Sequence, residues 1–199
     1  MIQELPNNEA AIRMKIQITE TVIEYHPDDL ANWKRGEKAK FLSGISPAPE
    51  ILNQPTHHFG EYFVLSYFKK AGWKGFHHYA LGEWEPNNKK YDEGRQKIRE
   101  SFSSQQLSIL RKKRELIPCD KAGKGEPDLF LYMDKGPKLF LEVKKESDRM
   151  SPAQLRCLAQ IKAILGAEIG VIYLAEHGRN YKPKVYELDL INFEGQKIS

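Results

Sequence analysis

The sequence predicts an α/β fold of the α+β type, a central mixed β-sheet flanked by helices. Three observations predict it. Residues 125–145, GEPDLFLYMDKGPKLFLEVKK, read as two apolar strands around a turn. Residues 151–166, SPAQLRCLAQIKAILG, read as a capped helix, and the apolar run 169–175, IGVIYLA, follows at once as an interior strand. Helical patterns ahead of the hairpin then give the order helix, strand, insert, strand, strand, helix, strand, which a mixed sheet satisfies.

Taken in order, residues 8–25 carry Ile12, Ile16 and Ile23 at helical spacing, although their β-branched content suits a strand equally. Residues 28–42 predict a second short helix. Three prolines make 44–56 a connector. The expectation is a helical N-terminal extension over 1–55, followed by one domain over 56–199. Residues 57–71 predict a buried helix closed by Gly72, and Trp73 to Leu81 a strand. A turn-rich 82–92 leads to one long helix over 93–116, with Ile98, Phe102, Ile109 and Leu116 on a stripe; about 83–118 reads as a helical insertion. The hairpin turns at Asp134-Lys135-Gly136-Pro137. Ser151 is a natural N-cap, Pro152 fits the first helical position, Gln154 completes a capping box and Gly166 ends the helix. Residues 184–190 predict an edge strand.

The 199 residues suffice for one domain with a sizeable core, and 40% hydrophobic with 29% charged residues is an ordinary globular balance. No apolar run approaches the ~20 residues of a membrane span. The opening MIQELPNNEAA lacks the basic-then-apolar pattern of a signal peptide. Cys119 and Cys157 lack metal-type spacing and read as reduced thiols. The expectation is a cytoplasmic, intracellular protein without membrane contact or organic cofactor. Net charge is +4, and the segment from Arg111 to Lys124 alone carries that much. A local positive field suits a polyanionic partner, while basic residues at a helix C-terminus also suit the helix dipole without any ligand.

The chemistry concentrates at the ends of the hairpin. Alternation puts Leu139, Leu141 and Val143 on one face and Phe140, Glu142 and Lys144 on the other. Asp128 opens the neighbouring strand. It joins Glu142 on one side only if the loop holds an odd number of residues or a bulge corrects an even one; a strict four-residue loop would pair it with Val143. Two carboxylates converging with an ammonium point to a hard-cation site, Mg²⁺ or Mn²⁺, able to activate water and polarise a phosphoryl oxygen. An ordinary surface Glu–Lys strand end is the plainer alternative.

Pro127-Asp128 followed by Glu142-Val143-Lys144 resembles the PD-(D/E)xK nuclease superfamily. The fuller set, Gly125-Glu126-Pro127-Asp128, Glu142-Val143-Lys144 and Asp148-Arg149-Met150-Ser151-Pro152-Ala153-Gln154, resembles its VRR-Nuc (virus-type replication-repair nuclease) branch, with Met150 in place of Leu as the visible departure. The resemblance implies a restriction-endonuclease-like core and a metal-dependent endo- or exodeoxyribonuclease. It implies Asp128, Glu142, Lys144, Glu61 and Gln154 as catalytic residues. Glu61, Asp128, Glu142 and the carbonyl of Val143 would be ligands of Mg²⁺ or Mn²⁺. Glu61 lies on a helix whose same-face neighbours Val64, Leu65 and Phe68 are apolar, so its carboxylate needs a partner. Stand-alone members of the branch act on branched DNA, often as dimers, so the resemblance implies DNA as partner, a flap or junction substrate in repair or recombination, and a homodimer.

Arg111, Lys112, Lys113 and Arg114 in the insertion, with Lys145 and Arg149, are the candidate nucleic-acid contacts. The pairs His57-His58 and His77-His78 are not read as a zinc site, since adjacent histidines rarely chelate one ion together. Alternation sends His77 and His78 to opposite sides, so one of them can face the cleft. A non-cleaving nucleic-acid-binding or assembly subunit that keeps the fold is the alternative function, and an RNA-processing nuclease a further one.

Overall fold

A computed structural model describes residues 14–42, 45, 57–81, 89–115, 125–146 and 148–190. The chain runs through β1 (Met14–Tyr25), α1 (Pro27–Lys34), α2 (Ala39–Leu42), α3 (Phe59–Lys70) and β2 (Lys74–Phe76). After a 3-10 turn at Lys89–Tyr91 come α4 (Asp92–Ser101) and α5 (Ser104–Glu115). The second half holds β3 (Leu129–Tyr132), β4 (Lys138–Lys145), α6 (Pro152–Gln160, continued by a π-turn over Ile161–Leu165), β5 (Glu168–Glu176) and β6 (Val185–Leu190). The six strands form one open mixed sheet in the order β2-β3-β4-β5-β1-β6, with β4–β5 and β5–β1 parallel and the other pairs antiparallel. With helices on both faces this is an α+β, restriction-endonuclease-like fold. No helix among the described residues is long and apolar enough to cross a membrane.

Strand alternation divides the core into two layers. Phe130 and Phe140 face α4, α5 and α6, packing with Ile98, Phe102, Leu110, Cys157 and Leu158. Leu129, Leu131, Leu141 and Val143 face α1 to α3, packing with Trp33, Phe41, Phe59, Tyr62 and Leu65. The residues read as an insertion therefore build much of one core layer. Gly125, at φ +71°, lies where a Cβ would come within 2.5 Å of the Ala153 and Gln154 backbone. Only glycine lets the chain pass so close to the start of α6.

The hairpin, the capped helix 151–166, strand 169–175 and edge strand 184–190 form as expected. So does the buried helix α3, with Gly72 beyond its C-cap at φ +87°. Residues 28–42 hold two short helices instead of one. Other expectations are corrected. Residues 14–25 are not helix but a twelve-residue strand. Its first half pairs with β6 and its second with β5, so it lies inside the sheet. Ile16 and Ile18 enter one core layer and Ile23 and Tyr25 the other, a period of two that the β-branched side chains favour once neighbouring strands exist. Only Lys74–Phe76 of the predicted strand 73–81 joins the sheet.

The long helix predicted over 93–116 is two helices, broken where Phe102 turns extended (φ −135°, ψ 147°) to reach the core. The break is capped: Ser103 Oγ accepts from the Gln106 N–H (3.2 Å) and Gln106 Oε1 from the Ser103 N–H (3.0 Å). This is a capping box, whose S-x-x-Q signature was present in the sequence. The turn-rich 82–88, the connector 46–56, Leu116, Cys119 and residues 8–13 lie outside the described residues.

Glu20, on β1, is buried and ties down β6. Burial pushes its carboxyl upward, but the Tyr181 and Tyr186 hydroxyls and the Lys184 N–H outweigh that and hold it below the usual range. Replacing Ser103 by alanine removes one cap of α5 and is expected to cost about 1 kcal/mol. In thermal unfolding that reads as a fall in Tm of ~2–4 °C, against little change for the exposed Ser104→Ala.

Candidate active site

The β3–β4 register decides which side Asp128 takes. Leu129 pairs with Leu141 and Tyr132 with Lys138, so the loop holds five residues, 133–137. An odd loop continues the register to Asp128 opposite Glu142, on one side of the sheet. Asp128 Oδ2 accepts from the Val143 N–H at 2.8 Å. This bond holds its carboxylate at the end of β4, next to the Glu142 carboxyl.

Glu142 is 2% exposed. Its Oε1 receives Lys144 Nζ at 2.7 Å and the Gln154 side-chain amide. Gln154 thus fills both expected roles, since its Oε1 also accepts from the Ser151 N–H in the capping box (2.9 Å). Glu142 Oε2 is buried and has no hydrogen-bonding partner among the described residues. The carboxylate it meets, Asp128, is another acceptor, so the two can share a hydrogen bond only when one carries a proton.

The electrostatics follow. Burial pushes the Glu142 carboxyl up to about 8, the Asp128 charge adds to this, and Lys144 opposes it. Burial pushes Asp128 up to about 6, with the Glu61 charge adding and the Val143 N–H and Lys144 opposing. A buried oxygen without a donor, beside a second acid, is what an oxygen-ligated divalent cation would satisfy.

The motif ahead of Asp128 is pinned. Tyr79 donates its hydroxyl to the Pro127 carbonyl (2.5 Å), and His77 Nδ1 lies 3.2 Å from the Asp128 carbonyl oxygen. Glu61 comes from the opposite layer, as the third residue of α3. Its Oε1 lies 3.1 Å from His58 Nδ1, which is in turn 3.1 Å from His77 Nε2. Burial pushes Glu61 upward, but His58 and His77 outweigh it and hold the carboxyl low; burial holds His77 below the usual histidine range. The partner that Glu61 needs is therefore histidine. One residue from each histidine pair converges on it, across nineteen positions of sequence. Spacing within either pair gave no sign of this.

Among the predicted nucleic-acid contacts, Arg111, Lys112 and Arg149 are exposed and Lys113 and Lys145 half-buried. Arg114 is corrected: it is 1% exposed, packed against Cys157 and 3.5 Å from Glu126. Helical periodicity turns it inward from the other three, where it faces the buried thiol, which burial pushes up to about 12. Asp148 binds the Lys145 backbone N–H (3.3 Å) and so fixes the turn after β4.

A pH test follows from Glu142. Between the ordinary carboxyl value of 4.5 and about 8, the folded metal-free protein keeps a proton that the unfolded chain releases. Stability conferred by this site therefore falls as pH rises through that window. Glu142→Gln, a neutral isostere, is expected to raise the Tm of chelator-treated protein at pH 8.5, by ~2–4 °C per kcal/mol relieved, and to leave it unchanged at pH 4.5. An equal Tm at both values would refute the raised carboxyl.

Comparison with known proteins adds one finding. No curated protein matches the chain. The model of the VRR-NUC domain matches residues 73–173, half of the chain, from β2 to within β5. The match contains Asp128, Glu142, Lys144 and Gln154 and leaves out Glu61, β1 and β6. With its hairpin acids, their lysine and the helix-borne glutamine in mutual contact, the chain belongs to the VRR-NUC domain family, and its function is of the nuclease type.

Proposed function

We propose that the protein is a divalent-metal-dependent deoxyribonuclease that hydrolyses phosphodiester bonds. One observation carries the reading: half-buried Asp128 meets buried Glu142 at the hairpin's end, and Glu142 Oε2 faces no donor among the described residues. Asp128, Glu142 and the carbonyl of Val143, with Glu61 at the rim, would hold Mg²⁺ or Mn²⁺. Such a donor set, all oxygen, fits a hard cation. When bound, the ion would activate a water and polarise the phosphoryl oxygen.

The chain's own groups do the rest. The Val143 N–H fixes the Asp128 carboxylate, and Gln154 together with Lys144 fixes one oxygen of Glu142. Lys144 Nζ is the cationic donor beside these acids. It orients the attacking water and offsets negative charge gathering on the phosphate. Arg111 and Lys112 on α5, with Lys145 and Arg149 beside the hairpin, supply phosphate contacts that position DNA without reading its sequence.

Incubation with linear, flap and four-way-junction DNA, with Mg²⁺ or Mn²⁺, is the direct test. Cleavage of at least one substrate is expected, with the branched ones preferred. Asp128→Asn and Lys144→Ala should each lower the rate by ~10²-fold or more. Equal rates in wild type and variants would remove the assignment; DNA binding without cutting in either metal would make the chain a non-cleaving subunit.

A further inference from the structure

We propose that His58, Glu61 and His77 form a second cation site, selective for a borderline divalent transition metal such as Zn²⁺ over Mg²⁺. It is distinct from the oxygen-ligated site proposed above and shares only Glu61 with it.

The geometry is that of a ligand set. His58 Nδ1, Glu61 Oε1 and His77 Nε2 all lie within 4.8 Å of one another, and Nδ1 of His58 is 3.1 Å from each of the other two. Ligand atoms ~2.1 Å from one ion sit about 3.0 Å apart when cis-octahedral and about 3.4 Å apart when tetrahedral. The two separations from His58 Nδ1 fall between these values.

Two further observations point the same way. His77 Nδ1 lies 3.2 Å from the Asp128 carbonyl oxygen, which can only accept. The proton of a neutral His77 is therefore on Nδ1, and the Nε2 lone pair points at the cluster. A metal-bound histidine is held in its tautomer by this kind of outer hydrogen bond. The cluster without an ion is also short of hydrogen. His58 Nδ1 carries at most one proton, yet it meets both His77 Nε2 and an ionised Glu61. If His77 were protonated on both nitrogens, His58 Nδ1 would become the acceptor, and Glu61 would lose its histidine donor. An ion satisfies all three lone pairs together.

The backbone is arranged for the same end. His58 adopts φ +62°, the left-handed region, at the N-cap of α3, and its side chain does not cap the helix. A non-glycine residue held there is strained, and such strain gathers at functional sites. The His58 and Glu61 side chains are 32% and 22% exposed, which leaves the cluster open to an ion from solvent. Two imidazoles and one carboxylate favour Zn²⁺, Co²⁺ or Mn²⁺ over Mg²⁺, and three protein ligands leave coordination positions open.

The test is binding of metal alone to the full chain, by titration calorimetry with Zn²⁺ and by the visible absorption of Co²⁺. Wild type should show a cobalt spectrum with nitrogen ligation, and a Zn²⁺ affinity that excess Mg²⁺ does not abolish. His77→Ala should weaken Zn²⁺ by more than the ~10–100-fold typical of losing an outer partner. His58→Asn, which tolerates positive φ, should do the same, with circular dichroism confirming that both variants fold. Glu142→Gln should retain the cobalt spectrum. Zn²⁺ and Co²⁺ binding unaltered in both histidine variants, or no nitrogen-ligated spectrum in wild type, would overturn the site. These readouts need no DNA. A chain that cuts DNA but fails them loses only the histidine site; one that passes them without cutting loses only the nuclease assignment.

Discussion

At the end of the β3–β4 hairpin two carboxyl groups are held against each other where water cannot fully reach them. That contact is unfavourable in isolation, because desolvation and like-charge repulsion both oppose ionisation. It persists because the surrounding fold over-determines it. A five-residue loop sets the register, the Val143 N–H binds one acid, and Lys144 and Gln154 bind one oxygen of the other. What remains is a buried oxygen with no donor among the described residues. A fold optimised for stability alone would have no reason to keep it.

The sheet brings parts to this point from both of its faces. α6 begins with a capping box whose glutamine also reaches Glu142, so the cap that starts the helix aims its third residue at the strand end. α3 lies on the other face, close enough that a Cβ on Gly60 would meet Val143 and Leu174 at 3.3 Å. That approach carries Glu61 toward Asp128. Tyr79 and Gly125 hold the Gly-Glu-Pro-Asp segment between the two layers, one by a hydrogen bond to Pro127 and one by lacking a side chain.

The histidines extend the site toward α3. His77 holds the Asp128 carbonyl with one ring nitrogen and turns the other toward His58, while His58 contacts Glu61. The backbone of one acid and the side chain of another are thereby joined through two imidazoles. Electrostatic changes at one end of this chain reach the other through short contacts, and the Glu61 charge is already felt at Asp128.

Much of this was legible beforehand. Local rules fixed the hairpin, the Ser151 cap, the apolar strand at 169–175 and the pairing of Glu142 with Lys144 on one face, because alternation and capping depend on residues a few positions apart. The motif carried the family for the same reason. Three matters lay beyond local rules. The 14–25 segment is a strand because β5 and β6 flank it, and its β-branched side chains accept either state until those neighbours exist. Arg114 faces inward because the C-terminal turn of α5 is buried against Cys157, which the run of basic residues conceals. The His58–Glu61–His77 cluster forms because the chain folds back after α3. Composition and spacing determine which residues are able to bind a proton or a cation; only tertiary contact determines which of them share one, since that depends on a few ångströms between groups far apart in the chain.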